Sequence, residues 1–415
     1  MVLQTAAMAF DHQPIAAPSP VDTAFFRFDL HVAKQREILR YSGVCRTWRA
    51  IALELIHERL VIPVFNGYRL DTTLFFSTLD STRHPGKVGL GWWTTRLDVL
   101  IDLHDSPETN LLLQNILDIR TAFPNVQHLF LGEWSASGHE PQSSSVDLAR
   151  SVLSQYQDVL THLTWLGHLE SFYEALVEIG GLPKLQMLKL DLESGVLPSN
   201  SSEVLKFPAL RDLHLAGRVL NCVRNLDLFE VPRIHCISIH HPLSLNPSFL
   251  DGIPPLHAST IKHFVIDSWS QRIAYHILTV CPNLTTVEVM DPPEGNKPPL
   301  YGFVNPLHEY GLYKQHKSLT ELIFHPFWVH RPETLTEIQE IVDRGLFPSM
   351  RKVKFLVSER SEGFCIPAYA VQSICAFWRQ TRSIGIQIVD GEDGELLAST
   401  GNPPRLTHKC SSLVH

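Results

Sequence analysis

The residue types that most often bind metals or perform catalysis are plentiful in this chain but dispersed. Its 415 residues include 22 histidines, of which His240 and His241 are the only adjacent pair. The seven cysteines are scattered, and none forms a C-x-x-C motif. Because a zinc site usually needs ligands at compact spacing, the sequence predicts no metal site and no cofactor.

The sequence also lacks the common catalytic motifs. We find no G-x-S-x-G, no H-E-x-x-H and no glycine-rich phosphate or dinucleotide loop. The acidic stretch at 390–395 lacks the oxygen-ligand spacing of a calcium loop and is interpreted as a solvated turn. We therefore expect a protein that is not an enzyme.

The amino-acid composition narrows the class of protein and the kinds of partner further. The net charge of −8 argues against nucleic acid as the main partner, and no run of 18 apolar residues predicts a membrane span. The odd, unpaired set of cysteines fits reduced thiols in the cytoplasm or nucleus. We expect a folded monomer that binds no nucleic acid and no membrane.

A spaced pattern of apolar residues, L-x-x-L-x-L, dominates the chain instead. It is clearest at Leu185, Leu188 and Leu190, after Pro183. Equivalent triplets begin at Val126, Leu160, Leu210, Ile234, Ile261, Leu284, Leu319 and Met350. Their first residues are 23 to 35 positions apart, and the three gaps from 160 to 234 are 25, 25 and 24. A period in this range indicates a solenoid.

The alternation of apolar and intervening residues in each triplet predicts a strand with two different faces. Alternate side chains of a strand point to opposite sides, so the apolar residues face a core that only stacked repeats can bury. The residues between the second and third apolar positions then line the other face, and they are predicted to bind a partner: Phe130, Thr164, Lys189, His214, Ser238, Val265, Glu288, Ile323 and Lys354. Phe130 and Ile323 are expected to be exposed apolar anchors, although an ordinary solvated strand face remains the alternative.

Helical patterns lie between these strands. Apolar stripes at 152–160 and 172–179 alternate with the triplets, and Gly180-Gly181 follows the second stripe as a favoured helix end. Strand, loop and helix in turn predict a parallel sheet with helices on its outer side and right-handed connections.

The triplets resemble leucine-rich repeats over about residues 95 to 390. The resemblance implies an α/β, right-handed leucine-rich-repeat-like solenoid, with a parallel sheet on the concave side and helices outside. The Asn or Cys that often follows the motif is missing, since Asp191, Ala216 and His240 stand there instead. An irregular member is therefore expected, and a set of unrelated amphipathic strands is the alternative.

A second resemblance lies near the N-terminus. Residues 41–52 read Y-S-G-V-C-R-T-W-R-A-I-A, which is similar to the C-terminal half of an F-box. The resemblance implies that one packed helical face contacts the adaptor subunit of a cullin-RING (SCF-type) ubiquitin ligase; its residues would be Val44, Cys45, Trp48 and Ile51. The family's first half, L-P-x-E-[IL], is absent, and the run at 25–30 stands in its place. We therefore expect weak or no adaptor binding.

These patterns predict four segments: a flexible arm at 1–22, a partial F-box-like helical segment at 23–60, an irregular solenoid at 61–395 and a frayed tail at 396–415. The resemblances imply a substrate-recognition subunit that holds an unknown protein substrate for ubiquitin-dependent degradation. The alternative is a leucine-rich-repeat binding scaffold that works without any ligase.

Overall fold

The fold was analysed in a computed structural model of the chain. It describes residues 38, 40, 45–64, 90–102, 119–134, 143–194, 203–217, 229–239, 258–266, 277–290, 315–325, 342–355 and 387–389. The chain divides into two compact units, residues 1–233 and 234–415. The predicted arm at 1–22, the loop at 291–306 and the predicted tail at 396–415 lie outside the described residues.

The described part of the first unit is built on six parallel strands. Its helices are α1 (Arg46–Glu58), α2 (Ile119–Ala122), α3 (Ser143–Tyr156) and α4 (Leu169–Ile179), with a 3-10 turn at Leu90–Trp93. The strands, in spatial order, are β1 (Arg59–Val64), β2 (Arg96–Asp102), β3 (His128–Trp134), β4 (His162–His168), β5 (Met187–Ser194) and β7 (Asp212–Gly217). The short strands β6 (Leu205–Lys206) and β8 (Phe229–Glu230) pair separately.

The second unit repeats the arrangement with six shorter parallel strands. In spatial order they are β9 (Cys236–Ile239), β10 (His263–Ile266), β11 (Thr286–Val289), β12 (Glu321–Phe324), β13 (Lys352–Phe355) and β14 (Gln387–Val389). The chain is therefore α/β and based on parallel sheet, as the sequence predicts.

The apolar triplets stack in register, as the pattern predicts. Leu163 lies opposite Leu188, which lies opposite Leu213 on the next strand, and none of the three is more than 3% exposed. In the second unit Phe264, Val287 and Leu322 follow one another in the same way. Each such buried side chain contributes roughly 1.5–3 kcal/mol, which is why the repeats hold this register.

A turn that is repeated before the strands sets their entry. In the clearest case the Leu185 amide donates to the Leu182 carbonyl at 3.2 Å, with Pro183 between them. The same contact closes turns at 207–210, 281–284 and 347–350. Proline at this turn position already has the required φ angle, so each of these four triplets starts at a fixed point.

In the first unit, helices cover the face that carries the leucines. The rings of Phe172 on α4 and Trp165 on β4 are 5.5 Å apart, and the α3 side chain of Tyr156 donates to the Phe123 carbonyl at 3.1 Å. α4 ends at Gly180, whose φ of 74° is left-handed. The predicted stripe at 172–179 and its glycine stop are thus confirmed, and Tyr156, within the predicted stripe at 152–160, is fully buried.

Candidate functional site

The candidate site is the sheet face opposite the leucines, here called the polar face. In the first unit it has two in-register rows. The first row starts each strand: Arg59, Arg96, His128, His162, Met187 and Asp212. The second row lies two residues on: Val61, Asp98, Phe130, Thr164, Lys189 and His214.

Asp98 anchors the start of this face. Its Oδ2 accepts a hydrogen bond from Arg59 Nε at 2.9 Å, and its Oδ1 accepts one from Arg96 Nε at 2.8 Å. Burial alone would raise the pKa of this carboxyl, but the two guanidinium groups more than offset that effect and lower it. Asp98 is therefore a buried, ionised carboxylate that fixes two arginines.

Two stacked imidazoles continue the first row. The ring centroids of His128 and His162 are 4.0 Å apart, with 27° between their planes. Burial, the neighbouring His162 and the charge of Arg96 lower the pKa of His128 to about 4. Burial also lowers the pKa of His162. Both rings are therefore neutral at pH 7 and add no charge to the row.

A small apolar cluster lies beside these polar groups. Phe130 is 5% exposed and packs with Leu166, and Val61 completes the cluster. The prediction that Phe130 is an exposed anchor is therefore wrong. Its neighbours Val61 on β1 and Leu166 on β4 point to the same face and bury the ring, which the apolar spacing of single strands did not reveal.

In the second unit the polar face centres on one carboxylate between two histidines. Glu288 Oε1 lies 2.8 Å from His325 Nε2, and its Oε2 lies 3.3 Å from His263 Nε2. Burial works to raise the pKa of Glu288, yet the two imidazoles lower it to about 2. Burial likewise opposes the charge of His263, but Cys236 and Glu288 together raise its pKa well above the ordinary value.

The remaining predicted positions of the second unit are mixed. Ser238 is 1% exposed and Val265 is 8% exposed, so the prediction that these two side chains are accessible on the face is wrong. Ile323 and Lys354 are half-buried. In the first unit Thr164, Lys189 and His214 are also half-buried, which leaves part of each side chain accessible.

Residues 46–58 of the F-box-like segment form α1, but its exposed residues differ from prediction. Ile51 is 40% exposed and Cys45 is also exposed, so neither belongs to a packed face. Packing instead joins Ile38 to Ala52, with Leu55 against them. Val44 and the side chain of Trp48 lie outside the described residues.

Among the residues that the structure describes, no group of three His, Cys, Asp or Glu side chains has the geometry of a metal site. Burial raises the pKa of the Cys281 thiol to about 12, which makes it a poor nucleophile. The face contributes ion pairs, imidazoles and partly exposed side chains, which suit recognition of another molecule.

Sequence reasoning missed Arg59, Arg96 and Asp98. The only signal was the alternation of Arg96 and Asp98 with Leu97 and Val99 in β2, since the triplet is weak in this stretch. An alternation of charged with apolar residues is typical of a strand with one solvent face, and it extends the polar rows to β1.

Comparisons with known proteins add little. No protein-family model matches the chain, and no curated protein matches it either. One solved structure, a Bacteroides fragilis protein from a structural genomics programme, is 12% identical with a TM-score of 0.37, over 71% of this chain and 74% of its own. Within the described residues, no helix has the length and apolar character needed to cross a membrane.

Proposed function

We propose that this chain is a non-catalytic protein-binding protein, a right-handed leucine-rich-repeat-like solenoid whose polar face holds a protein substrate and whose α1 region contacts the adaptor of an SCF-type ubiquitin ligase. The single observation that carries the proposal is the asymmetry of the sheet. Among the described residues, one face buries the stacked leucine positions, whereas the other presents in-register rows of charged, histidine and half-buried apolar side chains.

The composition of the polar face supports a protein partner. Protein interfaces combine apolar contacts with polar groups and few net charges. On the polar face, the first unit offers Thr164, Lys189 and His214 and the second unit offers Ile323 and Lys354, all half-buried. Surfaces for nucleic acid are instead dominated by positive charge, and the chain carries −8 overall.

Photo-crosslinking tests substrate binding directly. Benzoylphenylalanine placed at Thr164 or at Ile323 should capture a protein in cells, and the same group at the exposed turn residue Lys184 should not. The captured protein is then purified and its binding to the full chain measured. Equal capture from all three positions would contradict a specific polar-face site.

The exposed side of α1 supports the adaptor contact. Ile51, at 40% exposure, is a large apolar side chain on the helix that resembles an F-box. We expect the purified chain to bind the adaptor weakly, with a dissociation constant above roughly 1 μM. Ile51→Asp should weaken this binding further without lowering the melting temperature, and Glu54→Ala, also exposed, serves as the control.

A scaffold that acts without a ligase is the second candidate, and one observation favours it. α1 ends at Glu58 and β1 begins at Arg59, without a linker, so this helix is continuous with the first strand of the repeat array. Adaptor titrations that show no binding even at millimolar concentration, together with positive crosslinking at Thr164 or Ile323, would support the scaffold.

A further inference from the structure

The first unit carries a continuous line of basic-type side chains, here called the basic row: Arg59, Arg96, His128 and His162. Each is the first residue of its strand, and each lies opposite the next across the sheet. Neighbouring strands are about 4.8 Å apart, so the row is about 14 Å long. Along the same line, Asp212 is the first acidic side chain, separated from His162 by Met187.

Asp98 orients the side chains of Arg59 and Arg96 but accepts hydrogen bonds from only some of their N–H groups. Each guanidinium makes its hydrogen bonds to Asp98 through Nε and Nη2. A guanidinium has five N–H donors, and among the described residues the remaining groups of Arg59 and Arg96 have no acceptor. Their side chains are 21% and 37% exposed, so a ligand can reach them.

The charge at this end of the face favours an anion. Two guanidinium groups and one carboxylate leave a net charge of +1. Asp98 stays ionised because its pKa is lowered, so neutral pH does not change that charge. His128 and His162 are neutral but carry ring N–H groups that can donate to an acceptor.

We propose that the basic row binds an extended acidic segment of a partner protein. The inference rests on the proposed function, because it specifies which kind of segment the polar face accepts. An extended chain advances about 3.3 Å per residue, so roughly four residues match the length of the row. Carboxylates are the natural ligands of arginine guanidinium groups, which can bind both carboxylate oxygens. A segment on the polar face would be held by its side chains, so its backbone would not need to pair with the sheet.

Peptide binding to the full chain tests this inference. The probes are a dye-labelled Gly-Ser-Glu-Glu-Glu-Glu-Ser-Gly peptide, its counterpart with four glutamines, and an oligothymidine of eight nucleotides. Fluorescence anisotropy at low ionic strength should show at least about tenfold tighter binding of the glutamate peptide than of the glutamine peptide. Raising the salt to about 1 M, where the Debye length is about 3 Å, should remove the difference.

The decisive variant is Arg59→Gln/Arg96→Gln/Asp98→Asn. It replaces the whole cluster by neutral groups of similar shape, so it leaves no buried unpaired charge. It lowers the net charge by one, and Lys184→Gln, on the exposed turn before β5, makes the same change elsewhere. The triple variant should lose at least about fivefold in glutamate-peptide affinity, whereas Lys184→Gln should lose less than about twofold.

Three results would overturn the inference: equal binding of the two peptides, an unchanged affinity in a triple variant whose circular dichroism is native, or tighter binding of oligothymidine than of the glutamate peptide. If the triple variant does not fold, Asp98→Asn alone provides the test, because it raises the local charge and should strengthen glutamate-peptide binding. An unchanged or lower affinity in that variant would contradict the inference.

The outcome can be separated from that of the proposed function. A protein crosslinked at Thr164 but no peptide preference would leave the proposed function intact and reject the acidic segment. A clear glutamate preference without any crosslinked protein would reject the protein-substrate role and leave an anion-binding row.

Discussion

His325 Nε2 lies 2.8 Å from Glu288 Oε1, one strand away, and His263 Nε2 lies 3.3 Å from the other oxygen of the same carboxylate. One half-buried glutamate thus joins three neighbouring strands of the second unit. Because the approach of an imidazole to a carboxylate favours the ionised form of the carboxylate, Glu288 is ionised in this cluster at neutral pH.

Replacing Glu288 by Gln should lower both the stability of the protein and the pKa of His263. The loss of a hydrogen bond to a charged group should cost roughly 2 kcal/mol at pH 7, as measured by urea unfolding. With the carboxylate gone, burial should bring the pKa of His263 down, and NMR titration of its Cε1 proton would show the change. The partly exposed pair of Glu321 and Lys352, at 3.3 Å, is the control: Glu321→Gln should cost less than about 1 kcal/mol.

The contribution of this cluster should also depend on pH in a defined direction. A raised pKa in the folded state means that His263 contributes stability below its ordinary pKa of 6.5, and that this contribution is lost as the pH rises through the raised value. Glu288, whose pKa is lowered to about 2, contributes above 4.5 and loses its effect below that. A wild-type minus Glu288→Gln stability difference that grows from pH 6 to pH 10 would contradict this assignment.

The buried and partly buried histidines should make the whole protein less stable in mild acid. Burial lowers the pKa of His57, His128, His162, His168 and His316. Between pH 6.5 and about 4 the unfolded chain binds more protons than the folded chain, so stability falls as the pH falls. The melting temperature should drop from pH 7.5 to pH 5.0. His128→Gln should make that drop smaller, and an equal drop in this variant would show that His128 does not contribute.

The stacked leucines predict a strong contrast between neighbouring positions. Leu188 is fully buried, so Leu188→Asp places an unpaired charge in the core and should cost roughly 3 kcal/mol or more. Gln186 is exposed, and Gln186→Ala should change the free energy of unfolding by less than about 0.5 kcal/mol. Equal melting temperatures for wild type and Leu188→Asp would disprove the strand register.

The two glycines after α4 should respond differently to alanine. Gly180 has a φ of 74° and open space where an alanine methyl would lie, whereas a Cβ on Gly181 would lie 2.7 Å from the Lys206 carbonyl oxygen. Gly180→Ala should therefore cost roughly 1 kcal/mol from the left-handed backbone alone, and Gly181→Ala roughly 2–3 kcal/mol. Thermal unfolding of the two variants would measure the difference, and a larger cost at Gly180 would contradict the close approach to β6.

The stacked strands were predictable from sequence because their signal is local and repeated. A triplet such as Leu185, Leu188 and Leu190 sets both the strand and its inward face, and Pro183 marks its start. The burial of Phe130 was not predictable, because it depends on Val61 and Leu166 from other strands. The weak triplet at β2 likewise hid Asp98.

The polar face was predictable as a surface but not as a set of interactions. The alternation of residues along β11 placed Glu288 on the polar face. The strand register then brought His263 and His325 close to its two carboxylate oxygens. A single sequence cannot give the rotamers that direct these rings, since rotamers depend on packing around each side chain.

The direct passage from α1 into β1 has a mechanical consequence. The Glu58 carbonyl at the end of the helix accepts a hydrogen bond from the Thr95 amide at 2.9 Å, and the His57 carbonyl accepts one from Thr94 Oγ1 at 2.8 Å. These bonds connect the last turn of α1 to the backbone that leads into β2. They restrict rotation of the helix about its junction with β1. A molecule that binds α1 would therefore also fix the orientation of Arg59 and of the rest of the basic row.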